Sequence, residues 1–300
     1  MNTKVTIAGV EFKNPVMTAS GTFGSGVEYG EFVDLSRLGA VVTKGVADHP
    51  WEGNPVPRVA ETASGMLNAI GLQNPGVDVF IERDLAFLEG YDTKVIVNVC
   101  GHSEGEYLNV VERLSDDDRV AMMEINVSCP NVKEGGIAFG TRPDALFNIT
   151  KLLKEHSKKP LIMKLSPNVT DIKEMAKSAE AAGADAISLI NTITGMKIDI
   201  YKRKFALANK TGGLSGPAIK PVAVRMVYEA SHAVNIPVIG MGGIATAEDA
   251  IEFIMAGASA VAVGAVNFHN PYATVEVIEG IEKYMRDYNV SDIADIRGIV

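Results

Sequence analysis

Residues 237–264 read PVIGMGGIATAEDAIEFIMAGASAVAVG, and the order of features in that run decides the fold. A short apolar segment, 237–241, ends on the pair Gly242-Gly243. Thr246-Ala-Glu248-Asp249 then has the form of a helix-opening cap, and Ala256-Gly257-Ala258 closes that helix and leads straight into a second apolar run at 260–264. Strand, helix and strand within about thirty residues make a βαβ unit. Runs of Val, Ile and Ala without polar alternation suit a parallel sheet that is covered on its outer face.

The same grammar recurs upstream, where Thr170-Asp171 opens a helix and Ala182-Gly183-Ala184-Asp185 closes it. Apolar runs lie at 16–20, 40–44, 94–99, 120–126, 161–165, 186–190, 237–241 and 260–264. Helical periods fall at 29–38, 78–89, 104–115, 143–156, 171–183, 217–234, 247–257 and 272–287. Eight strand–helix units predict an α/β fold, a (β/α)8 TIM barrel, with 1–300 as a single domain. An N-terminal β-hairpin at about 4–13 is expected to cap its base, with long loops at the C-terminal face of the barrel. The rival is an open doubly wound sheet, but Gly24-x-Gly26-x-x-x-Gly30 has the wrong spacing for a dinucleotide fingerprint.

Composition narrows the function. Lys and Arg total 28 against 37 Asp and Glu, so the net charge of −9 argues against a protein that tracks nucleic-acid phosphates. A hydrophobic share of 47% allows a large core. Two cysteines, Cys100 and Cys129, cannot build a disulfide framework, a four-thiolate zinc site or an iron–sulfur cluster. The five histidines show no metal-ligand spacing, so no metal site is expected. No stretch is long and apolar enough for a membrane span, no signal peptide opens the chain, and free thiols with an acidic surface point to the cytoplasm.

Active sites of such barrels sit at the C-terminal strand ends. Here those ends carry Ser20, Lys44, Asn98, Asn126, Lys164, Asn191, Gly242-Gly243 and Gly264, a set of amides, ammonium groups and glycines suited to a polar heterocycle. Glycines after the seventh and eighth strands, followed by helix N-termini, would cradle a phosphate, as in a sugar phosphate or flavin mononucleotide (FMN). Long insertions at 44–75, 126–142 and 191–217 fall on the same side. The thiol of Cys129, in a loop beyond the fourth strand, could serve as nucleophile or general base, whereas Cys100 reads as buried filler.

Several motifs carry a family resemblance that extends along essentially the whole chain. ASGTFG at 19–24, NAIGLQNPG from Asn68, NVSCPN at 126–131 and IMKLSPN around Lys164 resemble the dihydroorotate dehydrogenases. So do NTITGM at 191–196, GGLSGPAIKP at 212–221, GMGGI and VGAVNFHNP. The cysteine loop and its NVKEGGIAFG continuation are similar to the class 1B, NAD-linked catalytic subunits.

The resemblance implies FMN-dependent oxidation of (S)-dihydroorotate to orotate in pyrimidine biosynthesis, with Cys129 as catalytic base. It implies flavin contacts from Ser20, Lys44, Gly45, Asn98, Asn126, Lys164 and Ile190. The ribityl and phosphate end would lie against Gly216, Gly242, Gly243, Gly264 and Ala265, the last standing where a hydroxyl residue is common. Substrate would be held by Lys44, Asn68, Ala69, Ile70, Gly71, Leu72, Asn126, Asn191 and Thr192. Electrons would pass to NAD through a partner subunit carrying FAD and a 2Fe–2S cluster, in a heterotetramer of two catalytic and two electron-transfer chains. The other expectations are a dihydropyrimidine dehydrogenase-type flavin barrel, a flavin-free sugar-phosphate barrel and a non-enzymatic binding or scaffold subunit. The eight polar strand ends fit the last of these poorly.

Overall fold

A computed structural model describes residues 1–127 and 139–300. Eight strands close into a parallel barrel: β3 (Val16–Thr18), β4 (Ala40–Val42), β7 (Lys94–Val99), β8 (Val120–Asn126), β9 (Leu161–Lys164), β10 (Ala186–Leu189), β15 (Val238–Met241) and β16 (Ala260–Val263). β16 pairs with β3 in parallel and shuts the ring. All eight predicted strands are present, each within two residues of its expected bounds.

Side chains alternate along a strand, so every second residue enters the barrel. Met17, Ala40, Val42, Ile96, Met122, Ile162, Ala186, Ile239, Met241, Ala260 and Ala262 pack there as one apolar cluster. Two residues further along the same parity come Lys44, Asn98, Glu124, Lys164, Ser188, Gly243 and Gly264. The interior is therefore apolar below and polar above. The hairpin of β1 (Val5–Ile7) and β2 (Val10–Phe12) seals the lower end, turning at Ala8 and Gly9, both with positive φ, and inserting the fully buried Ile7 and Phe12 into the same cluster.

Outside, the helices Glu104–Ser115, Pro143–His156, Ile172–Ala181, Lys220–Ser231, Ala247–Met255 and Ala273–Asp287 bury one face each against the strands. Residues 29–38 differ from the expected helix and form two 3₁₀ turns, Tyr29–Glu31 and Leu35–Arg37. The break has a local cause: Asp34 is extended and its carboxylate accepts from the Ser36 N–H, starting a new turn. Residues 78–89 are helical, with a π-helical stretch at Phe80–Leu85.

The insertions are more ordered than long loops. β5 (Val59–Thr62), β6 (Gly65–Asn68), β11 (Ile193–Met196) and β14 (Thr211–Ser215) form an antiparallel sheet in the order β11-β14-β6-β5. It joins the segment after β4 to the segment after β10 above the barrel, and within the latter β12 (Ile198–Asp199) and β13 (Lys204–Phe205) pair as a separate short hairpin.

Thr246 and Asp249 form the predicted capping box, and Asp249 also binds Lys220 Nζ at 2.7 Å. Burial pushes the Asp249 carboxyl up, but Lys220 and the N–H groups of Ala245 and Thr246 outweigh it and hold the group below its ordinary value. A depressed carboxyl stabilises the fold above its unfolded value near ~3.9 and loses that contribution as pH falls through the folded value. Asp249→Asn is expected to cost about 1–2 kcal/mol at pH 7. Urea unfolding should show the gap between parent and variant at pH 7 and its narrowing as the pH falls below about 4.

Candidate active site

The polar layer of the barrel is a connected network. Glu124, only 2% exposed, accepts at Oε1 from Asn98 Nδ2 (2.7 Å) and at Oε2 from Ser188 Oγ (2.8 Å). Lys164, 5% exposed, donates to Ser20 Oγ at 3.0 Å and lies 3.4 Å from Glu124 Oε1. Register explains the meeting: Asn98 pairs with Glu124, Asn126 with Lys164, and Lys164 with Ser188 across neighbouring parallel strands. Because Asn98 Nδ2 is committed to the carboxylate, its Oδ1 faces the other way and accepts from Asn126 Nδ2 at 3.3 Å. Tyr107, on the outer helix Glu104–Ser115, donates to the Asn126 carbonyl at 2.7 Å and fixes the end of β8.

The rim after β15 and β16 is backbone. Gly243 has φ +83, and a Cβ there would stand 2.9 Å from the Gly216 carbonyl and 2.8 Å from Lys220 Cβ. The chain therefore folds back upon itself in a way that only glycine permits. Asp249 already caps the N–H groups of Ala245 and Thr246 at the helix Ala247–Met255. An anion at this rim would accordingly meet the glycine backbone rather than that helix end, a refinement of the sequence expectation.

The inserted sheet supplies the remaining wall. β6 ends at Asn68, which pairs with Gly213 of β14. Beyond it, Asn54 ties down the segment 69–72, its backbone N–H donating to the Ile70 carbonyl (2.9 Å) and its Nδ2 to the Ala69 carbonyl (3.1 Å). Asn74 accepts from the Ala47 and Gly76 N–H groups and donates to the Leu72 carbonyl at 2.8 Å. On the opposite side, Asn168 donates to the Thr192 carbonyl (3.0 Å) and accepts from the Thr194 N–H (2.9 Å). These side-chain braces hold two long insertions in place where few apolar contacts are available.

One cavity gathers nearly all of the residues expected to form the site. Ser20, Lys44, Gly45, Asn98, Asn126, Lys164 and Ile190 line it together with Gly216, Gly242, Gly243, Gly264 and Ala265. Asn68, Ile70, Gly71, Leu72, Asn191 and Thr192 line it from the insertions. Ala69 does not: it is 1% exposed and packs behind β6 with Leu67 and Leu207. Cys129 lies outside the described residues, and Cys100 is buried against Ala47 and Trp51, as expected of filler. Reasoning from strand ends passed over Glu124 and Ser188, which stand one step below; the two-residue parity Met122, Glu124, Asn126 was the signal that would have found Glu124.

A closed (β/α)8 barrel with amides, a buried ammonium and a glycine rim at its C-terminal face is the architecture of a TIM-barrel enzyme. The dihydroorotate dehydrogenase family model matches residues 2–285. The "Dihydroorotate dehydrogenase B (NAD(+)), catalytic subunit" of Lachnoclostridium phytofermentans is 71% identical over 300 residues, covering all of both chains. The protein of the same description from Alkaliphilus metalliredigens is 64% identical over 298 residues, 99% of this chain and 98% of that one. Among solved structures, DHODH from Eimeria tenella in complex with ferulenol superposes with a TM-score of 0.83 at 23% identity, covering 99% of this chain and 88% of that one, a likeness of fold. The chain belongs to the dihydroorotate dehydrogenase family.

Gly213 provides a check on the inserted sheet. A Cβ there would fall 1.9 Å from Thr192 Oγ1, so Gly213→Ala is expected to displace Thr192 and cost about 1–3 kcal/mol. Thermal melting should show the loss, and adding Thr192→Gly should recover part of it.

Proposed function

We propose that this chain is the catalytic subunit of a two-component enzyme that oxidises (S)-dihydroorotate to orotate in pyrimidine biosynthesis, with FMN as its cofactor. The observation that carries it is the cavity at the barrel mouth, which joins a buried lysine and paired asparagines to a glycine-lined rim. These residues fit FMN. The glycine backbone at Gly216, Gly242, Gly243 and Gly264 leaves room for a ribityl phosphate. Ser20, Asn98, Asn126 and Lys164 offer donors and acceptors to a pyrimidine edge. When bound, FMN supplies the hydride acceptor that oxidation of the C5–C6 bond of dihydroorotate requires.

The chain's own residues do the rest. Lys44 supplies positive charge at the cavity wall for the substrate carboxylate. The Asn68–Leu72 segment and Asn191-Thr192, each braced as above, orient the substrate ring by amide and backbone hydrogen bonds. Lys164, at the floor of the cavity, stabilises negative charge that develops within it. Cys129, two positions past the described Val127, takes the C5 proton as its thiolate.

The near full-length likeness to catalytic subunits supports a separate partner that passes electrons to NAD. The chain's two cysteines are too few to hold a 2Fe–2S cluster, so that cluster and an FAD belong to the partner, in a heterotetramer in the cytoplasm. No helix among the described residues is long and apolar enough to cross a membrane.

The purified chain is expected to be yellow and to bleach near ~450 nm on anaerobic mixing with dihydroorotate. Dihydrouracil should be turned over poorly, because it lacks the carboxylate that Lys44 recognises. A colourless protein, or equal turnover of dihydrouracil, would refute the assignment. Cys129→Ser should retain FMN yet slow bleaching by about 10²–10⁴-fold. Bleaching by the parent should accelerate towards the ordinary thiol value near ~8.5. NAD reduction by the chain alone should be negligible.

A further inference from the structure

Glu124 is the one buried acid of the barrel's polar layer among the described residues, and the catalytic scheme above leaves it without a role. We propose that it is a positioning residue: its carboxylate offsets the charge of the Lys164 ammonium and thereby sets how strongly the site favours the reduced, more negative form of its cofactor. The proposal rests on the flavin assignment of the cavity.

Three features of the geometry point this way. First, the hydrogen bonds from Asn98 and Ser188 do not call for a charge. Both are donors to an oxygen, and a glutamine amide could satisfy each of them, Ser188 by turning its hydroxyl to accept. What a carboxylate adds is a negative charge, and the cation beside it is Lys164. Second, that cation is as deeply enclosed as the acid, so little water screens the two charges and each strongly offsets the field of the other. Third, the pair is loose. The Nζ···Oε1 separation of 3.4 Å exceeds the 2.7 Å from Asn98 and the 3.0 Å from Lys164 to Ser20. An ammonium has three hydrogens. Ser20 and Glu124 occupy two directions, and the group also lines the cavity. Glu124 thus holds Lys164 at the floor without withdrawing it from the site.

The other groups around Lys164 are few. Lys44, from the end of β4, is the second titratable group lining the cavity among the described residues. Ser20 after β3, Asn98 on β7, Asn126 on β8 and Ser188 on β10 are neutral. Glu124 is therefore the group through which this layer's charge balance can be altered without touching a residue that lines the cavity.

The test uses the FMN-containing protein, equilibrated anaerobically with a reference dye at pH 6. Glu124→Gln keeps the shape and removes the charge, so the equilibrium should move about tenfold or more towards reduced FMN, about 30 mV for a two-electron couple. Ser188→Ala strips a donor from the carboxylate and concentrates its charge, so the shift should be smaller and in the opposite direction. A purely structural role would lower stability in both variants without this reversal of sign. An unchanged equilibrium in Glu124→Gln, or one moved towards oxidised FMN, overturns the proposal. If that variant fails to fold, Ser188→Ala decides by the sign of its shift. In FMN-free protein, ¹⁵N-lysine NMR should show the Lys164 Nζ resonance displaced in Glu124→Gln, and no displacement overturns the proposal as well. A parent that carries no FMN refutes the flavin assignment instead, and the NMR measurement still decides the role of Glu124.

Discussion

Every second side chain of the eight strands must enter the closed barrel, and that space has no room for water-exposed groups. Polar residues can be accommodated there only when they satisfy one another. The chain meets this constraint by stratifying its interior. Apolar residues from Met17 to Ala262 fill the lower part against the hairpin's Ile7 and Phe12. Above them, Glu124, Lys164, Asn98, Asn126, Ser188 and Ser20 form a bonded group. The boundary between these layers is the floor of the active site.

The upper wall obeys a different rule. Residues 44–75 and 191–217 have little core of their own, apart from small clusters around Trp51 and Leu67. They are positioned by strand pairing with each other and by the side chains of Asn54, Asn74 and Asn168. Asparagine suits this work because one amide both donates and accepts, bridging two backbone segments at once. Binding residues at the mouth are thus carried on braced segments above a rigid barrel, which suits a site that must admit and release a small substrate.

Legibility in the sequence followed the range of the interactions. The strands around Lys94–Val99 and Val120–Asn126, and the caps at Asp171 and Thr246, announced themselves because each depends on neighbours within a few positions. The 29–38 segment misled because its helical period is overridden by Asp34, whose carboxylate captures a backbone N–H. The inserted sheet was not legible at all. GMLN and TGGLS are short and partly glycine, and Asn68 meets Gly213 only because the chain returns after most of the barrel has formed. Glu124 falls between these cases: its inward parity is written in β8, but its partners lie on three other elements.

By itself, the sequence determined the eight strand–helix units, the hairpin, the polar and glycine strand ends, the absence of a cluster-binding cysteine set, and the family resemblance. Each is a matter of local spacing or composition, which survives without knowledge of what lies opposite. Only the tertiary structure decided that Ala69 turns away from the cavity and that the helix end at Thr246 is capped by its own aspartate. It also decided that Lys164 shares the floor of the cavity with a buried carboxylate. Those outcomes depend on ring closure and register between strands far apart in the chain. A one-residue slip in register would reverse which side chains face inward, and no single segment encodes that.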